Sequence, residues 1–147
     1  MRRMAGGLRR RVGHRGAALL FFAMLDLVYC QALLFPSAQS RAGDQQQFLA
    51  TILPLWAWAV GWGGVGLVCL WGSVQRRDQA AFTAAIGLKV LWGLLSLAGW
   101  LIAGVDRGSV NAAVWLVFAG FVWIIASWPE PPHGWKERAW TPPSSRQ

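Results

Sequence analysis

Asp26 and Lys89 are charged side chains set inside apolar stretches, Met24-Leu25-Asp26-Leu27-Val28 and Gly87-Leu88-Lys89-Val90-Leu91. A carboxylate and an ammonium in such surroundings have three uses: they pair, they exchange a proton, or the carboxylate holds a cation. Little else in the chain offers chemistry. His14 and His133 lie in polar tails without cysteines or carboxylates at ligand spacing, so no metal site is expected. Cys30 and Cys69 are surrounded by apolar residues and read as small hydrophobes, not as nucleophiles or a disulfide. There is no Walker-type loop and no nucleophile elbow, and Gly61-Trp62-Gly63-Gly64-Val65-Gly66 is embedded in apolar sequence. Neither enzymatic activity nor a cofactor is expected.

The elements that must position the two charges are long apolar blocks. Of 147 residues, 55% are hydrophobic and 14% charged, too apolar for an ordinary soluble domain of this size. The blocks run over 17–35, 48–74, 80–104 and 110–128, and the first, at helical rise, covers about 28 Å, close to the thickness of a bilayer core. Pro36 closes the first, Pro54 predicts a kink near the start of the second, and Trp128-Pro129-Glu130-Pro131-Pro132 ends the fourth. The expectation is all-α: an integral membrane four-helix bundle over 17–128, preceded by a basic segment 1–16 and followed by a Pro/Trp-containing tail 129–147.

Orientation follows from the basic residues. Arg2, Arg3, Arg9, Arg10, Arg11 and Arg15, then Arg76 and Arg77, then Lys136, Arg138 and Arg146 flank one face, against Arg41 and Arg107 on the other. Under the positive-inside rule the N-terminus and C-terminus are both cytoplasmic. The net charge of +8 therefore serves topology and anionic lipid headgroups, not nucleic acid, which needs its basic residues on a groove-sized face. An alternative is a cleavable signal peptide ending at Ala38-Gln39-Ser40; the length of the first block and Asp26 within it argue for a retained anchor. Trp71 and Trp128 fall at inner ends and Trp56, Trp58 and Trp100 toward outer ends, while Trp62, Trp92 and Trp123 fall deeper, where an indole N–H needs a partner inside the bundle or reaches back toward the interface; most of them are expected to pack.

Counted from the cytoplasmic side, Asp26 and Lys89 are each the tenth residue of their block, so they lie at similar depth. An isolated charge there costs at least about 2.5 kcal/mol, which favours a pair, either as a structural register lock or as a functional site. Lys89 shares a helix face with Ala85, Gly93 and Ser96, and Gln31 and Ser96 are candidates for a polar lining. Small residues four apart, at Ala57 and Gly61, Ala59 and Gly63, Ala81 and Ala85, and Ser109 and Ala113, are expected to seat neighbouring helices within the chain or in a homo-oligomer.

Five stretches carry a resemblance: Asp26-Leu27-Val28-Tyr29 with Leu34-Phe35-Pro36, Leu53-Pro54-Leu55-Trp56-Ala57-Trp58, Lys89-Val90-Leu91-Trp92-Gly93, Ala113-Val114-Trp115-Leu116, and Ser127-Trp128-Pro129-Glu130-Pro131. Together they span most of the chain. In them the sequence resembles small four-span membrane proteins of actinobacterial phages and prophages, often encoded near lysis or tail genes. The resemblance implies the inner membrane of a bacterial host and a holin-like role, oligomerising to permeabilise that membrane during lysis, and it carries over no catalytic residue. Two other functions stay open: a small ion-coupled transporter or channel using Asp26, and a membrane scaffold or superinfection factor without transport activity.

Overall fold

The computed structural model describes residues 14–75 and 78–128; residues 1–13, Arg76, Arg77 and the tail 129–147, with His133, lie outside the described residues. Six helices follow one another: α1 (His14–Leu34), α2 (Ala38–Arg41), α3 (Asp44–Ile52), α4 (Leu55–Gly72), α5 (Gln79–Ala103) and α6 (Gly108–Ser127). Among the described residues there is no strand. Helices α1, α4, α5 and α6 are long and apolar enough to cross a membrane.

Each boundary has a local cause. α1 stops before Pro36, which has no N–H to give and disfavours helical geometry at Phe35. Ser37 then caps α2, its hydroxyl accepting from the Ser40 N–H at 3.1 Å. α5 ends on Gly104 in the left-handed region, φ 64°, and Arg107 at φ 58° turns the chain into α6.

The second apolar block is not the single kinked span 48–74. Pro54 divides it into α3 and α4, with Leu53 fully extended between them (φ −147°, ψ 148°). The proline ring would collide with the carbonyl of Ala50 in a continuous helix, and the break frees carbonyls that must find donors. Trp58 supplies one, its indole N–H reaching the carbonyls of Leu49 at 3.2 Å and Leu53 at 3.1 Å. The other three blocks differ from the sequence boundaries by one to three residues at their ends, within ordinary fraying.

The four long helices run alternately up and down. α1 lies along α4 and α5 along α6, with α4 meeting α5 between them, while α1 touches α5 and α6 at few positions. The bundle is therefore two intimate helix pairs joined across a thinner seam. Two cores stack along it. Leu19, Phe22, Ala23, Cys69, Ala81, Phe82, Ala85 and Val122 fill the end where α1 begins, and Leu33, Leu49, Ala59, Trp62, Trp92 and Trp115 fill the end covered by α3. Outward faces are apolar, with Met24 69% and Val117 73% exposed, the reverse of a water-soluble protein and suited to lipid.

Small residues set the closest approaches, though not all at the expected positions. Ala59 and Gly63 face α1, where a Cβ on Gly63 would meet Cys30 Sγ at 3.0 Å, and Ala81 and Ala85 are buried, Ala81 lying over Gly72. Gly61, in contrast, turns outward with open space beyond it, and Ala57 on the same face is only half-buried. Ser109 and Ala113 do not form the α6 contact either: Ala113 is exposed, and the buried face begins one residue earlier, with Gly108 and Ala112. A Cβ on Gly108 would sit 2.7 Å from that of Trp100 and 2.8 Å from the Ser96 carbonyl, so the α5–α6 turn closes on glycine.

Candidate functional site: a polar column in the bundle

Asp26 lies on the face of α1 that buries Leu19, Phe22, Ala23 and Leu33, and Lys89 on the face of α5 that buries Ala85, Trp92, Gly93 and Ser96. Those faces meet across the seam. The Lys89 ammonium donates to Asp26 Oδ1, and both side chains are completely buried. Lys89 Nζ also sits 5.2 Å from the centre of the Trp62 ring, whose π face adds a second anchor for the cation. The other carboxylate oxygen, Asp26 Oδ2, is buried with no hydrogen-bond partner.

Toward α3 the pair is roofed by aromatic rings. Tyr29, one turn beyond Asp26, stacks on Trp62 at 4.4 Å, and Trp62 meets Trp92 and Trp115 edge-on at 5.2 and 5.3 Å. Trp58 adds an edge contact to Trp92 at 5.9 Å. Of the three deeper tryptophans, Trp62 and Trp92 are core residues, whereas Trp123 is 69% exposed, because it falls off the line of Ala112, Trp115, Ala119 and Val122 that α6 buries. The Trp62 indole N–H is buried and unpartnered.

One turn further, Ser96 is completely buried and its hydroxyl oxygen accepts from Gln45 Nε2 of α3 at 3.4 Å and from Asn111 Nδ2 of α6 at 3.5 Å. Both contacts are long. Buried side-chain oxygens of Gln45 and Gln46 find no donor. Gln31, the other candidate for a polar lining, is not part of this column: it is exposed on α1, off the face that carries Asp26. Gln45 and Asn111 escaped the sequence reading. Asn111 precedes Trp115 by one helical turn and so shares its buried face, a signal that was available; Gln45 reaches Ser96 only because Pro54 folds α3 back over the bundle end.

The opposite end is closed differently. Phe22 packs edge-on against Phe82 and Phe118, at 6.5 and 5.7 Å, directly below the charge pair. Beyond them Arg15 Nη2 pairs with Asp78 Oδ1 at 2.9 Å while its guanidinium lies 5.1 Å from the centre of the Phe82 ring. The two cysteines are free and belong to different cores. Among the described residues no three His, Cys, Asp or Glu side chains gather as metal ligands would.

The arrangement can hold a carboxylate ionised in an apolar bundle through one oxygen, and it leaves the second able to accept a proton or a water hydrogen. A functional reading rests on this geometry and on the sequence, for the chain matches no protein-family model, no curated protein and no solved structure.

Proposed function

We propose that the chain is a multi-pass protein of the bacterial inner membrane, both termini cytoplasmic, with a holin-like activity: it accumulates, self-associates and permeabilises the membrane. The observation that carries this is the position of the charge pair on the thin seam between two well-packed helix pairs. A lesion-forming protein must exchange contacts within one copy for contacts between copies and present a polar face to water. Parting the α1–α4 pair from the α5–α6 pair exposes Asp26, Lys89, Ser96 and the Trp62 N–H together, while each helix pair keeps its own packing. The outward Gly61 and Gly64, with open space beyond both, give α4 a flat face on which another copy can lie. The resemblance to phage-encoded four-span proteins points the same way.

The test is induction in a bacterial host while membrane potential and culture density are followed, with Asp26→Asn and Lys89→Met variants alongside. Abrupt depolarisation after a delay, and lysis when an endolysin is supplied, are expected, with shifted timing in both variants. Undisturbed growth at full potential, with the protein verified in the membrane, rejects permeabilisation.

A second reading, an ion-coupled transporter or channel, is favoured by one observation: Asp26 Oδ2 has no partner and stands ready for a proton. It requires slow, saturable flux without lysis, which the same induction experiment distinguishes. A scaffold or superinfection factor is left if neither flux nor depolarisation occurs.

A further inference from the structure

The buried polar atoms that lack partners are distributed unevenly. Asp26 Oδ2, Trp62 Nε1 and the side-chain oxygens of Gln45 and Gln46 all lie at the charge pair or between it and α3. On the other side of the pair come Phe22, Phe82 and Phe118, and among the described residues the next unpartnered polar atom, Arg15 Nε, is at the end of the bundle. Orphaned donors and acceptors in one half of an interior are the groups that buried water satisfies, commonly with about three hydrogen bonds per molecule. The column offers both kinds: an N–H from Trp62, carbonyl-type acceptors from Gln45 and Gln46, a free carboxylate oxygen, and the amides and hydroxyl of Gln45, Asn111 and Ser96.

We infer that Asp26 is reached by water from the α2–α3 end only, along Gln45, Ser96, Asn111 and Trp62, and that α3 is the lid on this path. The lid is held by modest contacts. The Gln45–Ser96 hydrogen bond is long, and Phe48 rests on Gly99, where a Cβ would meet its ring at 3.0 Å. Leu49 is the one residue of α3 that is fully buried. Pro54 and the extended Leu53 supply the joint about which α3 can lift: no backbone helical hydrogen bonds cross it, and the Trp58 N–H shared between the Leu49 and Leu53 carbonyls is the tether that lifting loosens. On the far side, among the described residues, the three phenylalanines and Cys69 separate the pair from the next polar side chains, Ser73, Arg15 and Asp78 at the bundle end. The path rests on the membrane reading of the four helices and not on permeabilisation.

Native Cys69, completely buried beyond the pair, serves as an internal dry reference. In a Cys30→Ala/Ser96→Cys variant, a membrane-impermeant methanethiosulfonate reagent is applied to right-side-out and inverted vesicles, with Ser40→Cys in a separate Cys30→Ala chain marking the α2 side. The thiol introduced at position 96 is expected to react about tenfold or more faster than Cys69, and from the same side as the marker. As a deeper readout, exchange of the Trp62 indole N–H into D2O, followed by NMR, is expected to quicken about tenfold when Gln45→Ala loosens the lid. Equal protection of both thiols, labelling from the side opposite the marker, or an exchange rate indifferent to Gln45→Ala overturns the path. Labelling without depolarisation in living cells supports the path and rejects only the lytic role; depolarisation with both thiols protected does the reverse.

Discussion

Around Phe22 the four long helices meet through phenylalanines, alanines and a buried thiol, whereas one to two turns above Asp26 they meet through a tyrosine, four tryptophans, a serine and two amides. The lower half closes by shape, with the Arg15–Asp78 pair only at its outer end. The upper half uses amphipathic rings and polar groups, and it leaves several of their hydrogen-bonding atoms unsatisfied. Lipid tails solvate leucine as well as a neighbouring helix does, so either device, tight apolar packing or polar contact, can hold helices together in a membrane. Only the polar one creates somewhere for water or an ion to go. The charge pair sits on the border of the two regimes, which is why its removal is the sharpest way to separate them.

The largest effect is expected there. Lys89→Met strands the buried Asp26 carboxylate without its counter-ion and should lower stability by about 3–5 kcal/mol, whereas Asp26→Leu/Lys89→Met, which removes both charges, should recover most of that loss. Unfolding in mixed micelles measures both. A single variant no worse than the double would mean that water entering under α3 solvates the stranded carboxylate as well as its counter-ion does, widening the contrast between the two halves.

Close approach is expected to matter equally in both halves. Gly72→Ala drives a methyl to 2.6 Å from the Ala81 Cβ in the lower half, and Gly108→Ala drives one to 2.8 Å from the Ser96 carbonyl in the upper half. Neither neighbour is a flexible chain end, so helices must part, at about 1–3 kcal/mol each. Gly61→Ala meets nothing within 4 Å and exchanges a poor helix former for the best, so the monomer should be unchanged or stabilised by up to about 1 kcal/mol. The same substitution thickens the outward face of α4, and crosslinking in membranes should report weaker self-association. Unchanged crosslinking would exclude the Gly61 face of α4 from the proposed self-association, and no crosslinking in either form would reject self-association itself.

Much of this architecture is legible in the residues. Block length and hydropathy mark four helices, and the period of 3.6 turns Lys89 toward Ala85, Gly93 and Ser96. What is not legible depends on events at helix ends. Pro54 reads equally as a kink within a span or a break between two helices; the second wins because Trp58 can cap the carbonyls the break releases. That choice folds α3 over the bundle and brings Gln45 to Ser96, a contact spanning 51 residues that no local pattern encodes. On α6 the small residues Gly108, Ser109, Ala112 and Ala113 offer two overlapping pairs four apart. Spacing alone does not choose between them; the tight turn from α5 does, because it needs the absence of a Cβ at Gly108. Gln31 illustrates the same limit, since polarity drew it toward Asp26 while five residues of helix turned it outward.

The smallest effect separates the two ion pairs that join α1 to α5. Arg15–Asp78 and Lys89–Asp26 each link residues 63 apart, one at the bundle end and the other at its centre. At the end, the side chains are 19% and 16% exposed and water competes for both charges. Arg15→Gln should therefore cost less than about 1 kcal/mol, and raising salt from low to molar concentration should erase most of that difference by screening. The central pair is sealed from ions, so the penalty of Lys89→Met should be indifferent to salt. Melting both variants in detergent across a salt series gives the comparison directly. A salt-sensitive Lys89→Met penalty would show that ions enter the upper half of the bundle, which α3 must then admit even in the resting protein.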